Sequence, residues 1–169
     1  NFLMMIASAS AKLGENQAAV GSYYQAYKLS PRGKFGKQAL YQAAFMSYQI
    51  QDYDGAARKF QEFMKSFAGS GLTRDARWHL AWIRYLRGDY DGSFKAFMDL
   101  KNSVGKSRRA AKSFPLDRLN YWIGMSLYRL GRYNDSRVLF ENLSNDKLLG
   151  YYSILSKERL KKIDEYLPK

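Results

Sequence analysis

The sequence predicts an all-helical fold, an α-solenoid of about four helix pairs followed by a C-terminal helix. Three observations support this: apolar residues recur at three- and four-residue steps, turn sequences recur at regular intervals, and small residues occupy the same place in each interval. The repeats fall at about 1–31, 37–69, 73–102 and 117–145, with the terminal helix at about 150–166. We expect them to form a single superhelical domain over 1–169.

Four turns separate the paired helices and set the period. They are Leu13-Gly14-Glu15-Asn16, Gln51-Asp52-Tyr53-Asp54, Arg87-Gly88-Asp89-Tyr90-Asp91 and Leu130-Gly131-Arg132-Tyr133-Asn134. Their equivalent positions, 14, 51, 88 and 131, are 37, 37 and 43 residues apart. Because no helix pair can bury its apolar face alone, neighbouring pairs are expected to stack around one concave surface.

Apolar periodicity and acidic residues predict where the helices begin. The helical period is clearest through 40–50, 78–86, 121–130 and 151–160. Asp52 and Asp89 stand where a carboxylate can accept a hydrogen bond from the free amides of the next helix. Asp54 and Asp91 fall in its first turn, where the helix dipole favours negative charge. We therefore predict that these aspartates are structural.

Small residues recur where the paired helices would cross. On the first helices these residues are Ala7, Ala44, Ala81 and Gly124. On each second helix a small residue is followed four residues later by an aromatic one and, after three more, by a third residue, which is small or apolar. These sets are Ala19-Tyr23-Ala26, Ala56-Phe60-Phe63, Ser93-Phe97-Leu100 and Ser136-Phe140-Leu143. This pattern resembles the tetratricopeptide repeat (TPR), whose period is about 34 residues. Pro31 stands where that family has its proline, whereas the later prolines are missing and the leading tryptophan is replaced or shifted, so the repeats are degenerate.

A narrower resemblance covers roughly the last third of the chain. Its residues are Leu119-Asn120-Tyr121-Trp122-Ile123-Gly124, the turn Leu130-Gly131-Arg132-Tyr133, and the segment 150–160, which reads Gly-Tyr-Tyr-Ser and ends in Glu-Arg-Leu. They resemble the superhelical domain of soluble lytic murein transglycosylases, with Ser153 in place of a glycine. The resemblance implies a bacterial protein of the periplasm or cell envelope, whose helical domain binds peptidoglycan or positions a catalytic domain.

No residue pattern in the chain predicts an enzyme. The catalytic Glu of the transglycosylases precedes a Ser, and none of the five Glu residues here does. His79 is the only histidine and cysteine is absent. Gly105-Lys106-Ser107 lacks the upstream glycine of a phosphate-binding loop, since Leu100 takes its place. We expect no catalytic site, metal or cofactor, and the resemblance implies that a longer parent protein, a peptidoglycan lytic transglycosylase, would carry the catalysis.

The charge balance favours an anionic partner. The chain has 28 Lys and Arg against 15 Asp and Glu, a formal charge of +13. The densest basic stretch consists of Lys101, Lys106, Arg108, Arg109 and Lys112. We predict that it is a solvated connector, and a dedicated anion-binding site is the alternative. The other basic residues are dispersed and no RNA-binding motif occurs, so we do not expect nucleic acid as a partner. Neither a signal peptide nor a transmembrane segment is predicted, and the cytoplasm is the alternative location.

The first helices of the predicted repeats carry an excess of aromatic residues on one edge. Counting along these helices selects as groove residues Tyr41, Phe45, Tyr48, Trp78, Trp82, Tyr85, Tyr121, Met125 and Tyr128, flanked by Arg74, Arg84, Arg118 and Arg129. Aromatic faces stack on sugar rings or on peptide side chains, and arginine pairs with carboxylates. Aromatic residues at helical spacing also fill cores, so both interpretations are open. The predicted ligand is peptidoglycan or another glycan or, alternatively, a peptide segment of a protein partner.

Overall fold

The computed structural model of the protein describes residues 2–105, 114–145 and 150–166. Within these ranges the chain is helical and forms no strand. The helices are α1 (Phe2–Lys12), α2 (Asn16–Leu29), α3 (Gly36–Gln49), α4 (Tyr53–Ser66), α5 (Thr73–Leu86), α6 (Tyr90–Gly105), α7 (Leu116–Arg129), α8 (Tyr133–Ser144) and α9 (Tyr151–Tyr166). The predicted all-α fold of helix pairs with a C-terminal helix is confirmed.

The chain divides into two compact units, Asn1–Ile83 and Arg84–Lys169, whose boundary falls inside α5. We call them unit 1 and unit 2. The single domain expected from the sequence stays a prediction. Lys101 of the basic stretch lies in α6, and the other residues of that stretch lie outside the described part of the chain. The sequence Gly105-Lys106-Ser107, which imitates a phosphate-binding loop, is described only at Gly105.

Unit 1 is built by consecutive packing of α1 on α2, α2 on α3 and α3 on α4. One core cluster contains Leu40, Phe60, Phe63 and Ile83, and a second lies between α1, α2 and α3. Residues predicted to stand at helix crossings are fully buried, and these are Ala7, Ala19, Ala44, Ala56 and Ala81. Their small side chains allow the helices to approach closely, which confirms the repeat register in this unit.

Unit 2 follows the same plan, with α6 packed on α7, α7 on α8 and α8 on α9. Its core includes Phe140, Leu143 and Ile163. At the crossing of α7 and α8, a Cβ atom on Gly124 would lie 2.9 Å from Cε1 of Phe140. The hydroxyl of Ser136 donates to the carbonyl oxygen of Gly124 at 3.0 Å. The predicted small residues therefore mark the crossings here too.

Each predicted turn ends its first helix in the same way. The four equivalent positions all have positive φ: Gly14 (80°), Gln51 (62°), Gly88 (80°) and Gly131 (74°). In every turn the following amide donates to the carbonyl five residues back, as Asp52 N does to Ser47 O at 3.0 Å. These bonds form a Schellman motif, which satisfies the last carbonyls of the helix.

The two capping aspartates predicted from the sequence are confirmed. The Asp52 carboxylate accepts a hydrogen bond from the amide of Gly55 at 2.9 Å, and Asp89 accepts one from Gly92 at the same distance. Glu15 stands at the equivalent position before α2 and makes no side-chain cap. The second helices therefore begin with unequal support from their caps.

Candidate ligand-binding site

The first helices of unit 1 bring four half-buried rings into one cluster. Phe45 and Tyr48 come from α3, and His79 and Trp82 come from α5. The ring centroids are 5.5 Å apart for Phe45 and His79 and 5.2 Å apart for Tyr48 and His79. We call these four residues the aromatic strip. Three of them belong to the predicted groove, and His79 is an addition that the structure makes.

A hydrogen bond fixes two rings of the aromatic strip. The indole Nε1 of Trp82 donates to the hydroxyl oxygen of Tyr48 at 3.0 Å. The Tyr48 hydroxyl keeps its own hydrogen, which can donate further, because a phenol is both donor and acceptor. The strip thus combines partly exposed apolar faces with an oriented polar group, a combination suited to holding a ligand.

His79 packs as an aromatic ring. It stacks nearly parallel on Phe60, with centroids 5.1 Å apart and an angle of 5° between the ring planes. No group of three His, Cys, Asp or Glu residues that could hold a metal ion occurs in the part of the chain that the structure describes. The sequence signal that places His79 in the aromatic strip is its spacing from Trp82, because residues three apart lie on one face of a helix.

Tyr41 lies between the core of unit 1 and its surface. Its ring meets Phe60 and Phe63 edge-on, with centroid distances of 5.7 and 5.4 Å. Burial, with a smaller contribution from the nearby Asp75 carboxylate, raises the pKa of Tyr41 to about 12. The phenol is therefore neutral at physiological pH and serves mainly in packing.

The predicted groove residues differ in depth. Trp78, Tyr121 and Met125 are buried, with 7%, 2% and 5% of their surface exposed. Tyr121 and Met125 belong to the core of unit 2. The half-buried members are Tyr41, Phe45, Tyr48, Trp82, Tyr85 and Tyr128. Both interpretations from the sequence thus apply, to different residues, and a groove formed by all of them stays a prediction.

In unit 2, aromatic residues gather around the middle of α7 and the start of α9. Trp122 packs edge-to-face on Tyr85, at 5.1 Å between centroids, and on Tyr121, at 5.3 Å. Tyr152 lies 5.3 Å from Tyr121. We call these four residues the aromatic cluster of unit 2. Trp122 and Tyr152 were absent from the predicted groove, although both belong to the segments that resemble the transglycosylase domain.

Two arginines adjoin the aromatic cluster of unit 2. Nε of Arg159 donates to the hydroxyl of Tyr121 at 3.4 Å, and the guanidinium of Arg129 lies 5.2 Å from the ring centre of Tyr90. Arg129 belongs to the predicted flank of the groove. Arg159 was missed by the sequence analysis, because α9 is not part of a complete helix pair within the chain.

The other predicted flanking arginines make different contacts. Arg84 donates to the carbonyl of Gly92 at 3.2 Å, Arg118 lies 5.6 Å from the ring centre of Phe114, and Arg74 is half-buried.

Among the described helices none is long and apolar enough to cross a membrane.

Comparisons with known proteins agree with this architecture. Residues 48–101 match the family model of the tetratricopeptide repeat. The fold is a TPR-like helical repeat. No curated protein matches the sequence.

Several solved structures resemble the chain over nearly its whole length. The TPR-like repeats of a protein assigned as a kinesin light chain of Podosopora anserina match with a TM-score of 0.72 at 12% identity, covering 96% of this chain and 84% of that one. A TPR protein from Parabacteroides merdae ATCC 43184 matches with a TM-score of 0.62 at 20% identity, covering 97% of this chain and 58% of that one. MamA of AMB-1 matches with a TM-score of 0.61 at 14% identity, covering 99% of this chain and 85% of that one. At these identities the likeness concerns the fold alone.

Proposed function

We propose that this chain is a non-catalytic binding module that holds a peptide segment of a protein partner on the aromatic strip of unit 1. The observation that carries the proposal is the hydrogen bond between Trp82 and Tyr48 within half-buried rings. Protein interfaces draw most of their binding energy from a few Trp, Tyr and Arg side chains. The TPR-like fold of the chain supports the same interpretation.

The chemistry of the strip favours an extended peptide. Its rings present apolar faces to side chains, and the Tyr48 hydroxyl can donate to a backbone carbonyl. The charge of +13 favours an acidic segment, because opposite charge raises the rate of encounter and the specificity. We therefore expect the partner segment to combine acidic and aromatic or aliphatic residues.

Selection of binders from a displayed library of acidic peptides tests the proposal. For a selected peptide, we expect a dissociation constant in roughly the micromolar range, and Trp82→Ala should weaken binding about tenfold, since hot-spot truncations exceed 1 kcal/mol. Leu29→Ala is the matched control, because Leu29 is 74% exposed on α2. Equal affinity of both variants and the wild type would contradict a role for the strip.

We also propose a second candidate function, as the helical arm of a peptidoglycan lytic transglycosylase. The observation that favours it is that Tyr121, Trp122 and Tyr152, which carry the resemblance to those enzymes, lie together in the aromatic cluster of unit 2. Trp122 and Tyr152 are half-buried and can stack on the apolar faces of sugars, whereas Tyr121 lies in the core beside them. On this proposal the chain binds peptidoglycan or positions a catalytic domain of the parent protein, in the periplasm or cell envelope.

Sedimentation with purified cell-wall sacculi distinguishes the two candidates. Retention of the chain, reduced by Trp122→Ala and unchanged by Trp82→Ala, is the result expected for the cell-wall arm. A chain that stays in the supernatant with every sacculus preparation would contradict that candidate and leave the peptide-binding module.

A further inference from the structure

We propose that one face of unit 1 docks on the surface of an anionic lipid bilayer. This face, which we call the docking face, consists of the exposed side of α1 and residues 32–37 of the α2–α3 connection. It lies apart from the aromatic strip in its residues, so the proposal goes beyond peptide binding and does not depend on it.

The apolar part of the docking face is a stripe along α1. The side chains at positions 2, 5, 6, 9 and 13 are all apolar and exposed, and separations of three and four residues place them on one side of a helix. Phe2, Met5 and Leu13 each expose at least 70% of their surface. Ala7 and Ser10 on the other side are buried. Because α1 already packs its inner side on the core, a second apolar side marks an interaction surface.

A groove joins this stripe to the α2–α3 connection. It has a volume of about 450 Å³ and lies between α1 and Phe35, the residue directly before α3. Its α1 side is lined by Met4, Met5, Ser8, Ala9 and Lys12. The ring of Phe35 therefore extends the apolar surface from the helix onto the connection.

Four cations accompany the apolar surface. The ammonium group of Lys34 lies 5.4 Å from the ring centre of Phe35, and Lys12 lines the groove itself. Arg32 and Lys37 are exposed and stand three and two residues from Phe35, so that their Cα atoms lie within about 12 Å of its Cα. Positive charge is thus placed along the edge of the apolar stripe.

The charge around the docking face is almost entirely positive. Among residues 1–51 Glu15 is the only acidic residue, against five Lys and Arg. Lys28 pairs with Glu62, whereas none of the four cations of the docking face forms an ion pair with a carboxylate in the described ranges. An anionic membrane surface complements this charge, and each cation near it raises affinity about fivefold.

The pairing of cations with exposed apolar side chains favours a bilayer over other occupants. Nucleic acid would neutralise the cations but leave the apolar stripe in water. A second copy packed through the same face would bring the same cations together, and like charges oppose association. A bilayer meets both requirements, because its headgroups attract cations and its acyl boundary takes up apolar side chains.

The length of α1 sets the geometry of docking. The helix has 11 residues and is about 16 Å long, roughly half the thickness of the hydrocarbon core of a bilayer. We therefore expect α1 to lie along the membrane plane, with its exposed stripe about 5–10 Å deep in the boundary between headgroups and acyl chains. Arg32, Lys34 and Lys37 would then contact lipid phosphates.

Co-sedimentation with vesicles tests the docking face on the whole chain. One vesicle preparation contains phosphatidylcholine and phosphatidylglycerol at about 2:1, and the other contains phosphatidylcholine alone. We expect affinity for the anionic vesicles to be at least about tenfold higher than for the neutral ones. Raising the salt concentration from about 0.1 to 1 M should weaken binding, because the Debye length falls from about 10 to 3 Å.

A double variant tests the cations of the docking face. Arg32→Gln with Lys34→Gln should weaken binding to the anionic vesicles about twentyfold, since each cation contributes about fivefold. The matched control is Arg58→Gln with Lys65→Gln, which removes the same charge from exposed positions of α4 in the same unit. The control should change affinity less than about threefold, because screening limits the attraction of distant charges.

A second double variant tests the apolar stripe. Met5→Ser with Leu13→Ser should weaken binding at least about tenfold, because both side chains lose their transfer out of water. Val138→Ser with Ile154→Ser is the control, since both residues are more than half exposed in unit 2, and it should leave affinity unchanged. All these positions are exposed, and circular dichroism melting curves verify that each variant is folded.

Four results would overturn the inference. A chain that stays in the supernatant with both kinds of vesicle would leave an acidic amphipathic helix of a protein partner as the occupant. Equal affinity for neutral and anionic vesicles would remove the role of charge, and equal losses in the Arg32→Gln, Lys34→Gln variant and its control would assign binding to the overall charge. A lipid-free dimer in sedimentation velocity that dissociates on Met5→Ser with Leu13→Ser would identify a second copy as the occupant.

Discussion

Gly124 of α7 and Phe140 of α8 are so close that a Cβ atom added to the glycine would lie 2.9 Å from the ring. In the other repeats alanine takes the equivalent position, at Ala7, Ala44 and Ala81. The α7–α8 crossing therefore needs the smallest residue. It is the point at which the repeat pattern and the local packing differ most clearly between the two units.

Gly124→Ala should destabilise the protein by roughly 1 kcal/mol. Overpacking costs about 1–3 kcal/mol, which outweighs the gain of about 1 kcal/mol in helix propensity. Urea unfolding measures the change. In a Phe140→Leu background the same substitution should cost less, since the facing ring is gone; an equal cost in both backgrounds would show that crowding is not the cause.

Gln51→Gly should stabilise the protein by about 0.5–1 kcal/mol. Gln51 has a φ of 62°, a conformation that costs a side-chain-bearing residue about 1 kcal/mol and glycine almost nothing. Gly88→Ala is the reverse test: a Cβ there meets no atom within 4 Å, so its expected loss reports backbone strain alone. Thermal unfolding would reveal both, and a destabilised Gln51→Gly would argue against strain at this turn.

Removing a capping aspartate should cost about 1 kcal/mol. Asp52→Ala and Asp89→Ala each leave the amide of a first-turn glycine without its acceptor. Glu15→Asp should have the opposite effect, adding a cap before α2 where none exists. Denaturant midpoints give the comparison, with Asp52→Asn as a charge control that removes the negative charge and keeps a side-chain oxygen able to cap the helix.

The stability of the protein should fall as the pH rises above about 10, partly because of Tyr41. Its pKa is about 12 in the folded chain and about 10 when unfolded. Below pH 10 both states are protonated, whereas between about 10 and 12 only the unfolded state loses its proton, which favours unfolding by up to about 1.4 kcal/mol per pH unit.

Tyr41→Phe supplies the control for this pH dependence. The variant should lose less stability than the wild type when urea unfolding is compared at about pH 9 and 11, because phenylalanine cannot ionise. Parallel pH profiles for the two proteins would mean that Tyr41 ionises as easily in the folded chain as in the unfolded one.

The helices and the repeat register could be predicted from the sequence because their signals are local. One such signal is a small residue followed four residues later by an aromatic one, as in Ala56 and Phe60. This spacing indicates which face of a helix is buried. Gly88 followed by Asp89 encodes both the end of one helix and the start of the next. Each of these signals lies within a few residues and needs no knowledge of the rest of the fold.

The depth of the aromatic residues could not be predicted in the same way. Tyr41 and Tyr121 stand at equivalent positions, three residues before Ala44 and Gly124, but Tyr41 is half-buried and Tyr121 lies in the core. The difference arises because α9 contributes Arg159 and Tyr152 against Tyr121. Contacts between residues more than 30 positions apart leave no local signal, which is also why Arg159 was not among the candidates.

Buried serines give unit 2 a restraint that unit 1 does not share at its alanine crossings. Ser136 of α8 donates to the carbonyl of Gly124 in α7, and the Ser126 hydroxyl of α7 donates to that of Ser93 in α6 at 3.4 Å. If α7 slid along α8 by one turn, the Ser136 hydroxyl would be left buried without its acceptor, at a cost of about 1–3 kcal/mol. Alanine contacts such as Ala19 and Ala56 carry no such directional penalty. Slippage at these alanine crossings should therefore meet less resistance than slippage of α7 along α8.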